Sequence, residues 1–244
     1  MNTEALRTVA ATYGTPTYIF DVREVEARIR LLRSLLPEDT GLCFAVKANP
    51  FLIPYVADLV DRLEVCSPGE YEICIQEQIA PEKIVVSGVN KTYESMKRIL
   101  SYSKGAGIYT IESEEHAKIL RTLAEKNRMP LSVLIRLSSG NQFGVDAETF
   151  LRLAKEIQES PYLTLAGVHY YAGTQKRQSK LEKELDTLTA FAKTFEEETG
   201  TVLNELEYGA GMKVSYFIND SEKDQRESEP EPQIQALAEK LRTC

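Results

Sequence analysis

A lysine stands directly after an apolar run in Phe44-Ala45-Val46-Lys47-Ala48-Asn49-Pro50. If that run is a strand, its end leaves the Lys47 amine at the rim of a sheet, partly out of water. Desolvation disfavours an ammonium, lowers its pKa and frees the lone pair to attack a carbonyl carbon. Alone this carries little weight, since a strand-end lysine commonly does no more than reach solvent. Further runs end in groups of similar interest. In Leu63-Glu64-Val65-Cys66, the period of two puts Glu64 and Cys66 on one face. Ser67 followed by Glu70 then matches a capping box for a helix start. Arg136 lies inside an apolar run. There it needs an acid, for which Glu64 is the candidate, or else it snorkels outward.

Two later segments offer anion contacts. Gly167-Val168-His169-Tyr170-Tyr171-Ala172-Gly173-Thr174-Gln175 alternates His169 and Tyr171 onto one face, and Gly173 and Thr174 then supply N–H and hydroxyl donors suited to a phosphate. Taken alone, a histidine such as His169 in a β-rich run is more often a satisfied core residue. Glu207-Tyr208-Gly209-Ala210-Gly211 supplies small residues that let a backbone close on an anion, although a short Gly-x-Gly is weak by itself. The set carries more than any member. An amine, an acid, a guanidinium, a ring and two anion loops describe a site for a phosphorylated carbonyl cofactor.

These groups need a scaffold that presents strand ends together. Short β-branched runs recur at 42–46, 63–66, 83–86, 107–111, 131–137, 165–171 and 203–208. Segments with helical spacing lie between them, at 53–59, 69–78, 93–102, 113–127, 147–159 and 181–199. Alternation of this kind implies parallel pairing, because parallel strands need crossover connections. Seven units spaced by about 20 to 35 residues predict an α/β fold of the (β/α)8 TIM-barrel type with chemistry at the strand C-termini. An open flavodoxin-like sheet is the alternative, and it needs only about five strands. An extended run at 17–21, before a first helix at 23–36, does not fit the repeat.

From 219 to 232 the chain has no apolar side chain other than proline, a composition that does not repay the entropy of ordering. A short amphipathic helix is predicted at 233–242. The domain reading is a barrel at 1–218, then an acidic polar loop and a short terminal helix at 219–244. No eighth strand is read, so the barrel is expected to be incomplete.

Composition excludes several classes. Net charge is −8, from 37 acidic and 29 basic residues, which disfavours nucleic-acid binding. No segment approaches the roughly 20 apolar residues of a membrane helix, and the first residues lack the plan of a signal peptide, so a cytoplasmic protein is expected. Cys43, Cys66 and Cys74 lie in apolar runs without a CxxC pair and read as reduced core thiols. His116 and His169 are far apart in sequence, and no metal site is expected.

The ordered series resembles the alanine-racemase-fold, or fold-type III, pyridoxal-phosphate decarboxylases, the family of diaminopimelate, ornithine and arginine decarboxylases. The segment 44–49 resembles its cofactor-lysine motif, and 64–70 its second-strand motif, where Asp is usual at the first position. Asn141-Gln142-Phe143-Gly144 matches its Phe-Gly segment, 167–175 its sixth-strand motif, and 207–211 its acid-x-Gly-Gly-Gly loop.

By this resemblance Lys47 is the catalytic lysine that binds pyridoxal 5′-phosphate. Glu64 and Arg136 lie near it, Tyr171 stacks on the cofactor ring, and Gly173, Thr174, Gly209, Ala210 and Gly211 contact the phosphate. The resemblance implies an amino-acid substrate that loses its carboxylate, and a homo-oligomer or a complementing C-terminal chain as partner.

Three departures stand out. Tyr171 takes the place of a histidine, and Ala210 replaces the middle glycine. The family's Glu-Pro-Gly-Arg strand and C-terminal β-domain have no counterpart, and neither Glu229-Pro230-Glu231-Pro232 nor Cys244 supplies their residues. The isolated chain is therefore expected to turn over little without a second chain or a further C-terminal part. The competing reading is a non-catalytic pyridoxal-phosphate-binding or truncated regulatory homologue. A racemase fits the sixth-strand series less well.

Overall fold

A computed structural model describes residues 3–217 and 221–242. The expected Cys244 and the 218/219 boundary lie outside them. After helices α1 (Thr3–Tyr13) and α2 (Val22–Leu35), strands and helices alternate as predicted. They are β1 (Cys43–Ala45), α3 (Ile53–Val56), β2 (Arg62–Val65), α4 (Pro68–Gln76), β3 (Ile84–Val86), α5 (Tyr93–Ser103) and β4 (Ile108–Ile111). Then come α6 (Glu114–Asn127), β5 (Leu131–Arg136), α7 (Ala147–Gln158), β6 (Leu163–Tyr171), α8 (Gln178–Thr199), β7 (Glu205–Gly209), α9 (Glu222–Glu227) and α10 (Pro230–Leu241).

The seven strands form one parallel sheet in sequence order, β1 to β7. It is curled: His169 on β6 and Glu205 on β7 both reach acid or base partners on β2, across the barrel interior. This is the (β/α) barrel architecture expected, with strands β1 and β7 as its two edges. Register fixes which groups meet inside. Arg136 pairs with His169, and His169 with Glu207, so the three lie side by side in one row. Tyr171 and Gly209 form the next row toward the mouth. One extra residue in β6, between the partners of Val133 and Leu134, sets the phase of that row.

The core has two parts. Outward strand residues such as Leu63, Val65, Tyr109, Val133, Ile135 and Val168 pack on helix residues such as Tyr71, Met96, Leu120, Phe150 and Phe195. Inside the barrel Val85, Ile108 and Leu134 form a small apolar floor, with Ala166 beside it. Above that floor the interior is polar.

Helix starts follow the capping chemistry read from sequence. The Ser67 hydroxyl accepts from Glu70 N, and Glu70 returns to accept from Cys66 N. The Ser113 and Asp146 side chains cap α6 and α7, accepting from His116 N and Thr149 N. Other expectations need correction. The helix expected at 53–59 is α-helical only over Ile53–Val56, and two 3-10 turns, Val46–Ala48 and Pro50–Leu52, precede it.

Within the described residues, from 221 on, the polar run is helical and not a loop. Lys213 pairs with Asp224 and Glu227, and the Gln233 amide makes two bonds to the Lys213 backbone. Helix α10 then buries Ile234, Leu237 and Ala238 against α8 and α2. Cys43 is an exposed edge-strand thiol rather than a core one. Residues 17–21 form no strand.

Candidate active site

The strand C-termini converge on Lys47. Its ammonium lies 3.6 Å from Glu64 Oε2, 3.7 Å from Cys66 Sγ and 5.1 Å from the centre of the Tyr171 ring. The side chain is 46% exposed, so the amine faces the open mouth. The expectation of a lowered amine pKa is corrected here. Desolvation does pull it down, but Glu64, Cys66 and Tyr171 together outweigh that and leave it raised. Glu64 shows the other half of the pair. Burial pushes its carboxyl up, yet the hydrogen bond from His169 and the Lys47 charge bring it to about 2. Cys66 is pushed up to about 11 by burial and then by Glu64, so it faces Lys47 as a neutral thiol.

Arg136 does point inward, but its partner is Glu112 and not Glu64. The distance to Glu112 Oε2 is 2.7 Å, and the other Glu112 oxygen lies 3.3 Å from Lys91 Nζ. Strand β2 carries Glu64 toward Lys47 and His169, whereas Glu112 follows β4, directly beside Arg136 on β5. Lys91 and Glu112 are each only 1% exposed. Burial lowers the Lys91 amine to about 8 against the attraction of Glu112. Glu112 is held low in turn, because Lys91 and Arg136 outweigh its own desolvation.

A further Arg136 nitrogen is 3.5 Å from the Tyr171 carbonyl, and the guanidinium lies 5.1 Å from the Phe143 ring. Gly144 permits that loop to close, since a Cβ there would lie 2.7 Å from the Arg136 carbonyl. The segment 141–144 thus seals Arg136 instead of merely leading into a helix. Sequence reading missed Lys91 and Glu112. Glu112 stands at a strand end like the residues that were found, so the same rule could have found it.

The two small-residue loops meet. Lys176 N donates to Gly211 O at 2.9 Å, and a Cβ on Gly211 would strike the Gly173 carbonyl. A Cβ on Gly209 would strike the Tyr171 ring, so only glycine lets that ring settle on β7. Among the described residues the N–H groups of Gly173, Thr174 and Gly211 have no backbone acceptor. Thr174 is exposed, and Ala210 is partly buried against the core.

Deeper in the barrel, one potential ligand atom each from Glu64, His169 and Glu207 lies within 4.8 Å of the others. Sequence spacing could not show this cluster, because its members come from three strands. Lys47 already supplies a cation to Glu64. Glu207 is pushed up to about 8 by burial and by Glu64, which makes it a proton holder at neutral pH.

A family model described as the pyridoxal binding domain of pyridoxal-dependent decarboxylases matches residues 22–243. The chain belongs to that family. It is 31% identical to a diaminopimelate decarboxylase of Actinosynnema pretiosum subsp. auranticum, over 88% of this chain and 52% of the relative. It is also 31% identical to the diaminopimelate decarboxylase of Pseudomonas aeruginosa, over 87% and 55%. The chain therefore spans about half the length of these curated relatives. Among solved structures, AQ1208 from Aquifex aeolicus superposes with a TM-score of 0.82 at 25% identity, covering 98% of this chain and 57% of that one. A lysine/ornithine decarboxylase of Vibrio vulnificus shares the fold at a TM-score of 0.82 and 18% identity, over 98% and 62%.

The residues present fit the cofactor that gives the family its name. A half-exposed lysine amine stands at the mouth, an aromatic ring is seated on Gly209, and unpaired N–H groups line two glycine loops. Below them His169 Nδ1 and Glu207 Oε2 are buried without a hydrogen-bond partner, a polar deficit of the sort a ligand relieves.

Proposed function

We propose that Lys47, Glu64, Arg136, Tyr171 and the loops at Gly173–Thr174 and Gly209–Gly211 form the cofactor site of an amino-acid decarboxylase. The substrate would be a diaminopimelate-like amino acid. The observation that carries this reading is the Lys47 amine at the end of β1, 3.6 Å from Glu64 and facing the Tyr171 ring. Pyridoxal phosphate, when bound, supplies an electron sink for the pair left behind as a carboxylate departs.

The chain's own residues do the rest. Lys47 is the amine that would hold the cofactor, its proton passing to solvent at the open mouth, and Glu64, held ionised, fixes its direction and balances its charge while it is an ammonium. Tyr171 offers a flat face for a planar ring. Gly173, Thr174 and Gly211 aim N–H groups at a phosphate. Arg136, neutralised by Glu112, ties the Tyr171 carbonyl in place.

The relatives' names support the substrate class. We infer a cytoplasmic protein; among the described residues no helix is long and apolar enough to cross a membrane. The open edges of β1 and β7 and the exposed Tyr18, Tyr216 and Phe217 suit a partner, either a second copy or a complementing domain. Release of carbon dioxide from diaminopimelate by the chain, assayed with and without the C-terminal half of a relative, tests this function. No release under either condition would refute it.

A further inference from the structure

Lys176 follows the first anion loop, Gly173–Thr174, and nothing in the order of residues there marks it. Its side chain is only 1% exposed. Burial lowers its amine, opposed by a carboxylate, Glu184 of α8, at 2.7 Å. The same Glu184 oxygen accepts from the Tyr208 hydroxyl at 2.8 Å, while the other oxygen is buried with no partner. Lys176 Nζ also donates to the Gly209 carbonyl at 3.0 Å. Its backbone N–H bonds Gly211 O, and its stem lies where a Gly211 Cβ would be, 2.9 Å away. One residue therefore holds the turn 209–211 at three points, through its backbone, its stem and its charge.

A buried ion pair of this kind is a poor device for stability, because an apolar pair of like volume does as well or better. Its use is orientation. We propose that Lys176, anchored by Glu184 and Tyr208, is a positioning residue that clamps the Gly209–Gly211 turn onto the Gly173–Lys176 loop, so that both present their N–H groups to the phosphate of the cofactor. The phosphate part of this inference rests on the cofactor site proposed above; the clamp itself does not.

Two readouts on the purified chain separate them. The first is amide hydrogen exchange without cofactor, in the native protein, in Lys176→Met and in the charge-matched pair Lys176→Met with Glu184→Gln. The clamp predicts exchange at least about tenfold faster at those amides of the two loops that are hydrogen-bonded in the native chain, above all that of residue 176 on Gly211 O, in both variants, with the amides of β5 unchanged. The paired variant covers the case in which Lys176→Met alone unfolds by stranding Glu184. Unchanged exchange in both loops overturns the clamp.

The second readout is the ratio of affinities for pyridoxal phosphate and for pyridoxal, which lacks the phosphate. It is expected to fall at least about fivefold in the paired variant, with pyridoxal binding within about twofold of native. An equal loss for both ligands would reduce Lys176 to structural support and overturn the phosphate part. If the native chain binds neither ligand, the cofactor site is what fails, and the exchange result still decides the clamp.

Discussion

Glu112 accepts a 2.7 Å hydrogen bond from Arg136 and stands 3.3 Å from Lys91, so two buried cations share one buried carboxylate. Each cation needs that charge, since an unpaired one in this interior is costly. Glu112→Gln keeps the shape and removes the charge. It is expected to destabilise the chain by about 3–5 kcal/mol, read by urea unfolding. A loss below about 1 kcal/mol would mean that the triad is hydrated and unimportant.

Glu207 predicts a pH dependence of the opposite sign to that of a salt-bridged acid. Its folded-state carboxyl is raised to about 8, from the 4.5 of a free glutamate side chain. Between those values the folded state binds more protons than the unfolded one, so this group makes stability fall as pH rises from 4.5 to 8. Glu207→Gln removes that slope and should leave the variant more stable than native at pH 8, by on the order of a few kcal/mol. Thermal melts at pH 5 and pH 8 decide it, and parallel slopes for the two proteins would contradict the assignment.

Gly209 is the seat of the Tyr171 ring, and a methyl group there has no room. Gly209→Ala should displace the ring and weaken pyridoxal phosphate binding by roughly tenfold, about 1.4 kcal/mol, with the fold intact by circular dichroism. Spectral titration with the cofactor checks this. Native affinity in the variant would show that Tyr171 does not need β7 for its position.

In the outer core, Phe150 is fully buried and meets Phe191 and Phe195 edge-on, at 4.9 and 5.7 Å between ring centres. Phe150→Ala should cost about 3–5 kcal/mol. A far smaller loss by urea unfolding would mean that α7 and α8 close over the gap.

Much of the fold was legible because each strand is a short β-branched run and each crossover has helical spacing. Lys47, Glu64, Tyr171 and both glycine loops were legible as neighbours because strand ends converge at the barrel mouth. What stayed hidden depends on register and on loops. Arg136 read correctly as an inward charge, but no local pattern tells that Glu112 after β4 reaches it while Glu64 turns to Lys47 and His169. Lys91 and Lys176 sit in loops, where no periodicity marks a buried ammonium. The run 219–232 read as a polar loop because its composition has nothing to bury. Its order comes from Lys213 and Gln233, which bind it to the segment following β7.

The central claim is that Lys47 is the residue that takes the cofactor. The direct test is incubation of the purified chain with pyridoxal phosphate, reduction with borohydride, and peptide mapping of the modified lysine. The expected product is a stable pyridoxyl group on Lys47, with Lys91 and Lys176 unmodified because both are buried in ion pairs. Label on another lysine, or none on Lys47, would contradict it.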